Sequence, residues 1–201
     1  HFHQDHSVGY FSIQHQLPIQ QLYSSEKPDL PTQTKFDYCV QGQRWQWSKT
    51  LSIEVLSPKS EQVKWASHNK NESSCVLYVQ LKDGFPYQNF LLMGDAGWQT
   101  EFQLLQDYPN LQVDVLVLGH HGSRHSSAYA FLKALKPKLE IASAGKFNRY
   151  GHPSLITQAR LAQLNIPLIT TLQQGSIQFK QQGNQVHLSY ARDHWKWLKR
   201  N

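Results

Sequence analysis

Apolar residues fall along this chain in short runs separated by polar, turn-forming stretches. The runs at 51–56 (LSIEVL), 75–81 (CVLYVQL), 89–93 (NFLLM), 113–118 (VDVLVL), 139–143 (LEIAS) and 168–171 are strand-sized and rich in Val, Ile and Leu. Segments 175–180 and 185–190 alternate in period two, and Gly183-Asn184 between them predicts a closing hairpin. Helical spacing is interleaved with these strands. Residues 98–108 put Phe102, Leu105 and Tyr108 on one face, and 128–135 do the same with Ala128, Phe131, Leu132 and Leu135. A third helix opens at Pro153-Ser154, where Pro fits a first turn, and runs to about 164. The polar stretches 24–34 and 57–74 read as loops. Strands and helices that alternate to the end predict a layered α/β fold in a single domain, 1–201.

Composition narrows this picture little. With 39% hydrophobic residues and six Trp in 201 positions, the chain can bury an ordinary core, which excludes a disordered tail. The two cysteines, Cys39 and Cys75, are two buried thiols or one bridge, and they are too few for Cys-rich zinc modules. No apolar run approaches the roughly 18 residues of a membrane span. The chain opens at His1 without Met or signal peptide and reads as a piece of a longer one. Twenty Lys and Arg against 14 Asp and Glu give a net charge of +6, which suits an anionic partner or simply keeps a domain in solution.

The candidate chemistry begins at the first residue. HFHQDH sets His1, His3, Asp5 and His6 in an H-x-H-x-D-H cluster, and imidazoles with a carboxylate in a compact loop suit zinc or manganese. The strand at 91–93 ends in Gly94-Asp95, a carboxylate at the carboxyl end of a strand, where α/β folds place their sites. The strand at 113–118 ends in GHHGS, and either His120 or His121 can turn inward there. His152 follows the basic loop Lys146-Phe147-Asn148-Arg149 and serves as a ligand or as a helix cap. Such separated His and Asp segments are what a hydrolytic site with one or two metals requires, two ions lying roughly 3.5–4 Å apart around a phosphoryl group. Lys146 and Arg149 contact phosphate or belong to a solvated loop. Ser123, Ser126 and Ser127 donate to a phosphate oxygen or cap the next helix. The closing RDHWKWLKR, 192–200, reads first as a basic tail anchored by Trp195, with base stacking or a membrane interface behind.

These residues carry a resemblance. The H-x-H-x-D-H opening, the strand ending in Gly94-Asp95 and the later His resemble the metallo-β-lactamase superfamily. More narrowly, LLMGD, VDVLVLGHHGSRHSS, YGHP and RDHWKW, in that order, are similar to the carboxy-terminal domain of the ComEC family, inner-membrane channels for DNA uptake in natural competence. The resemblance implies an αββα sandwich whose first strands precede residue 1 and are missing from this chain. It implies a metal-dependent phosphodiester hydrolase, a nuclease that degrades the non-transported strand, with Asp5 and Asp95 catalytic. The implied metal ligands are His1, His3, Asp5, His6, Asp95, His120, His121 and His152, holding manganese or zinc. Ser123, Lys146 and Arg149 would face DNA. Other uptake proteins would be partners, and the domain would sit on the periplasmic or extracytoplasmic side, attached to a membrane-embedded parent. The chain departs from the pattern at His3, where ComEC relatives usually carry Asp. It also lacks the superfamily's His between the opening motif and Gly-Asp; Asn71 and Ser73-Ser74 stand before the Cys75 strand instead. A DNA-binding module that no longer cuts, and a lactonase- or thioesterase-like hydrolase, are the other readings. With the first strands absent, the chain alone is expected to hold metal weakly, because a terminal His1 has nothing to fix it.

Overall fold

The computed structural model describes residues 2–27, 34–64 and 69–192. The chain starts with helix α1 (Gln4–Gln14), then a short parallel pair, β1 (Gln21–Ser24) and β2 (Lys35–Tyr38). Seven strands follow in one mixed sheet: β3 (Arg44–Gln46), β4 (Leu51–Ser57), β5 (Val76–Leu81), β6 (Asn89–Leu92), β7 (Val115–Val117), β8 (Leu139–Ala142) and β9 (Leu168–Thr170). They are neighbours in chain order, antiparallel from β3 to β6 and parallel from β6 to β9. Short α2 (Ser60–Lys64) lies between β4 and β5, and α6 (Thr171–Gln174) follows β9. The strand-like runs at 51–56, 75–81, 89–93, 113–118, 139–143 and 168–171 all contribute to this sheet.

The parallel half is built by right-sized helical crossovers, as parallel neighbours require. Helices α3 (Trp98–Asp107), α4 (Tyr129–Leu135) and α5 (Leu155–Gln163) connect those strands. They bury Leu104, Phe131, Leu132 and Leu161 against Leu91, Leu116 and Ala142 on one face of the sheet. On the other face Val115, Leu139 and Ile141 pack against Ile177, Phe179 and Leu188 of the hairpin β10 (Ile177–Gln182) and β11 (Gln185–Tyr190), which turns at Gly183-Asn184. The architecture is α/β, a helix layer on a sheet backed by a second β layer, as in the metallo-β-lactamase-like sandwich. Among the described residues that second layer over the parallel strands is the hairpin.

Two elements differ from the sequence reading. The opening motif is not a loop: its Asp5 and His6 lie in the first turn of α1. Val8, Phe11 and Ile13 on α1 are 57%, 40% and 50% exposed and no residue of the helix is buried, so the period-3.6 stripe by which helices are recognised is absent. The polar stretch at 57–74 contains α2, in which Val63 alone is apolar, too little for a periodic signal. The tail from 193 lies outside the described residues, as do His1 and Trp195.

The interior holds a covalent tie and a pair of acids. Cys39 and Cys75 are joined in a disulfide with Cα atoms 6.0 Å apart, a normal span for a bridge. Helix α3 and β8 place two carboxyls in the core. Glu101 accepts the backbone N–H groups of Ser127 and Ala128, donors that open the way into α4. Glu140 is fully buried with neither carboxyl oxygen hydrogen-bonded. Burial, reinforced by neighbouring Glu101, pushes Glu140 up to about 9, and burial pushes Glu101 up to about 7.

Candidate metal centre

The carboxyl ends of β6 and β7 lie side by side, and each delivers a ligand group to the same edge. Beyond β6 the chain turns at Gly94, φ +57, and a Cβ there would come within 3.0 Å of the Ser74 Cβ. The turn sends Asp95 inward, 2% exposed, with its N–H donated to Ser74 Oγ at 3.1 Å. Beyond β7, Gly119 passes so near Ala96 that a Cβ would collide with its carbonyl oxygen. His120 and His121 then both adopt left-handed backbone, φ 45 and 56. Their turn is pinned by His120 N–H to the Gly94 carbonyl, 2.9 Å, and by Ser126 Oγ donating to the Gly119 carbonyl, 2.6 Å.

The first turn of α1 faces this edge. His6 Nε2 stands 3.1 Å from Asp95 Oδ1, and His121 Nε2 stands 3.1 Å from Asp5 Oδ2 and 3.5 Å from Asp95 Oδ1. One ligand atom from each of Asp5, His6, Asp95 and His121 lies within 4.8 Å of the other three. His121 Nδ1 is 2.7 Å from the Ser143 carbonyl oxygen. Because a carbonyl can only accept, Nδ1 donates there, and this bond fixes the ring with its Nε2 toward the cluster. The hydrogen bond that His6 donates to Asp95 raises the His6 pKa against the opposing effect of burial. Burial works to raise Asp95, but the hydrogen bond and positive charge of His6, with His121 and His120 behind it, bring it below the ordinary carboxylate range.

The remaining candidates stand around this cluster. His3 is the N-cap residue of α1, and its carbonyl accepts the N–H groups of His6 and Ser7. The His120 ring lies 5.7 Å from that of His152, with Asn71 Nδ2 at 3.5 Å from His120 Nδ1. Burial, then the charges of His120 and His121, lower the His152 pKa. His152 in turn stacks on Tyr150 at 5.8 Å. A cavity of about 510 Å³ opens between Asp5, His121, Arg149, Tyr150 and His152. Arg149 lines it and Lys146 is exposed one residue beyond the lining Gly145, each cation over the ring beside it, Tyr150 and Phe147. Ser123 departs from its expected place against DNA. It is 4% exposed, its hydroxyl accepts the His125 N–H, and its carbonyl accepts from Thr157, so it closes the turn. Asn71 and Tyr150 carry no motif of their own; the signals available were the absent His before the Cys75 strand and the YGH triplet.

Imidazole nitrogens and carboxylate oxygens fit a divalent transition metal. Opposite ligands of one such ion lie at most about 4.4 Å apart at bond lengths near 2.2 Å, so the cluster needs only a small closure. His152 Nδ1 and Asn71 Oδ1 are buried without a hydrogen-bond partner, a state native interiors rarely leave without a ligand or water. The fold is a layered α/β one, and the cluster at its sheet edge is a candidate metal centre.

No protein-family profile matches the chain. Curated relatives do. ComE operon protein 3 of Bacillus subtilis is 36% identical over 66% of this chain and 16% of its own length. Competence protein ComA of Neisseria gonorrhoeae is 33% identical over 89% of this chain and 24% of its own. Recombination protein 2 of Haemophilus influenzae is 26% identical over 96% of this chain and 23% of its own. The chain is similar to one segment of these competence proteins and spans about a quarter or less of their length. A solved structure from Parabacteroides distasonis, called a metal-dependent hydrolase, aligns with TM-score 0.42 and 12% identity over 69% of this chain and 57% of that one.

Proposed function

We propose that this domain is a metal-dependent phosphodiesterase that cuts DNA during uptake, degrading the strand that is not transported. The observation that carries the reading is the convergence of Asp5, His6, Asp95 and His121 from three separate segments at one sheet edge. Manganese or zinc held there would polarise a phosphoryl oxygen and lower the pKa of water, so the site needs no strong protein base. The chain's own part is positional. Asp95 and His121 are fixed by buried turns, His120 and His152 stand ready beside them, and Asp5 sits at the mouth. Of the remaining metal candidates, His3 stands one turn away and His1 is assigned from the motif alone. Arg149 in the cavity wall and Lys146 in the loop beside it offer point charges for two backbone phosphates. Partners would be DNA and other uptake proteins. Among the described residues no helix is long and apolar enough to cross a membrane. A membrane-embedded parent is what the family resemblance implies, and a disulfide suits the oxidising, extracytoplasmic side.

The test is cleavage of end-labelled single- and double-stranded DNA with added manganese or zinc, stopped by chelator. DNA left whole under both metals, yet still bound, would move the assignment to a binding module, which Asn71 in place of the missing His favours. Salt dependence checks the phosphate contacts. Each Lys or Arg on a phosphate contributes about 0.9 to the slope of log affinity against log salt on duplex and about 0.7 on single strands. Lys146→Ala and Arg149→Ala should each flatten the slope by that amount, and a slope near zero in the unaltered protein would favour a lactonase-like hydrolase.

A further inference from the structure

Outside the cavity, the surface beside α3 gathers aromatic and cationic groups that the metal cluster does not use. Trp98 and Phe102 stand four residues apart on α3, hence on one helix face, and are 46% and 65% exposed. The Arg160 guanidinium lies over the Trp98 ring, 5.5 Å from its centroid, and the His125 ring meets it edge-on at 5.8 Å. Arg124 Nε donates to His125 Nε2 at 3.1 Å, and the Trp98 N–H is donated to the His125 carbonyl. Arg160 also holds the carbonyls of Arg124, Ser126 and Ser127, so the ring and the loop are fixed to each other. The Glu72 carboxylate alongside is engaged by Thr100. Trp98 and Phe102 together make an exposed apolar patch, rigidly mounted and flanked by cations, the kind of surface that marks an interaction site.

The platform is tied to the cluster at both ends. Trp98 is three residues beyond Asp95, and Arg124 three residues beyond His121. Three residues reach at most about 11 Å. At a rise of about 3.4 Å per nucleotide, that is roughly three nucleotides of a strand lying across the cluster.

We infer that Trp98, with Arg124 and His125, is a docking platform for unpaired nucleic acid, stacking one base while Arg124 meets its backbone a few nucleotides from the metal centre. Every base has a π-face, so stacking tolerates any sequence, and cations beside the ring add attraction for the phosphates. The inference rests on the nucleic-acid reading of the site and adds a second contact to the cavity rim.

The experiment measures binding of fluorescent (dT)15 and of an abasic strand of equal length to the 201-residue chain in chelator, where no cleavage occurs. Trp98→Ala should weaken (dT)15 about 5- to 150-fold, the range for losing one stacked base, and leave the abasic strand nearly unchanged. Trp98→Phe should recover most of the loss. Arg124→Ala, at an exposed position, should weaken both strands and flatten the salt slope by about 0.7. Equal loss on both strands with Trp98→Ala, or unaltered binding by Trp98→Ala and Arg124→Ala, would overturn the platform while leaving DNA as the substrate. If Trp98→Ala does not fold, the Arg124→Ala slope decides. A protein that binds neither strand removes the platform and the nucleic-acid reading together, and a platform that captures only protein segments overturns it too.

Discussion

Asp95→Asn should weaken manganese or zinc binding by more than about 100-fold, beyond the 10–100-fold that loss of a partner outside the ligand set typically causes. Asp95 is the one buried carboxylate of the cluster, and its Oδ1 lies within 3.5 Å of both His6 and His121. The amide keeps the shape and the backbone hydrogen bond to Ser74, so folding should survive while the negative charge at the centre is gone. Calorimetric titration with each metal, beside circular dichroism, reads the two effects separately. Retained affinity would show that Asp5, His6 and His121 suffice, and would make Asp95 a structural partner of His6. Asp5→Asn should cost less, since the Asp5 side chain is 60% exposed and water can replace it.

Glu140→Gln should stabilise the domain, and increasingly so as pH rises. In the folded chain Glu140 keeps its proton up to about 9, whereas a solvated Glu loses it near the ordinary value of 4.5. Below 4.5 both states are protonated and the residue costs nothing electrostatic. Between 4.5 and about 9 the unfolded chain ionises and the folded one does not, so stability is progressively lost as pH rises. The loss is about 1.4 kcal/mol per pH unit, on the order of 5 kcal/mol by pH 8. A neutral amide of the same shape removes this dependence. The melting temperature of Glu140→Gln should match that of the unaltered chain near pH 4 and exceed it by on the order of 10 °C at pH 8. A constant difference across that range would show that Glu140 is not the buried titrating group.

The sheet was legible because its strands are buried on both faces and therefore read as continuous Val, Ile and Leu runs. That same continuity hid Glu140, one polar letter in LEIAS that nothing in the run marks as buried. Helix α1 was invisible because its apolar residues follow no period; it is positioned by the edge it faces, a tertiary fact. Of the site, Asp95 was legible as a carboxylate after a strand, and Asp5 and His6 as parts of a dense motif. Which of His120 and His121 turns toward Asp95 was not legible, because the answer depends on two successive backbone angles that no side-chain pattern encodes. Trp98 and His125 meet only because α3 and the turn after β7 are brought together by packing.

Those two backbone angles bear on how such a chain can change over generations. A non-glycine residue in left-handed backbone costs about 1–2 kcal/mol, and here two stand in succession. Glycine at either position would relieve that strain and make the bare fold sturdier, while deleting an imidazole. Random substitution screened for folding alone should therefore drift toward glycine at 120 and 121, and only pressure on the chemistry keeps histidine there. In this turn, durability and reactivity pull in opposite directions.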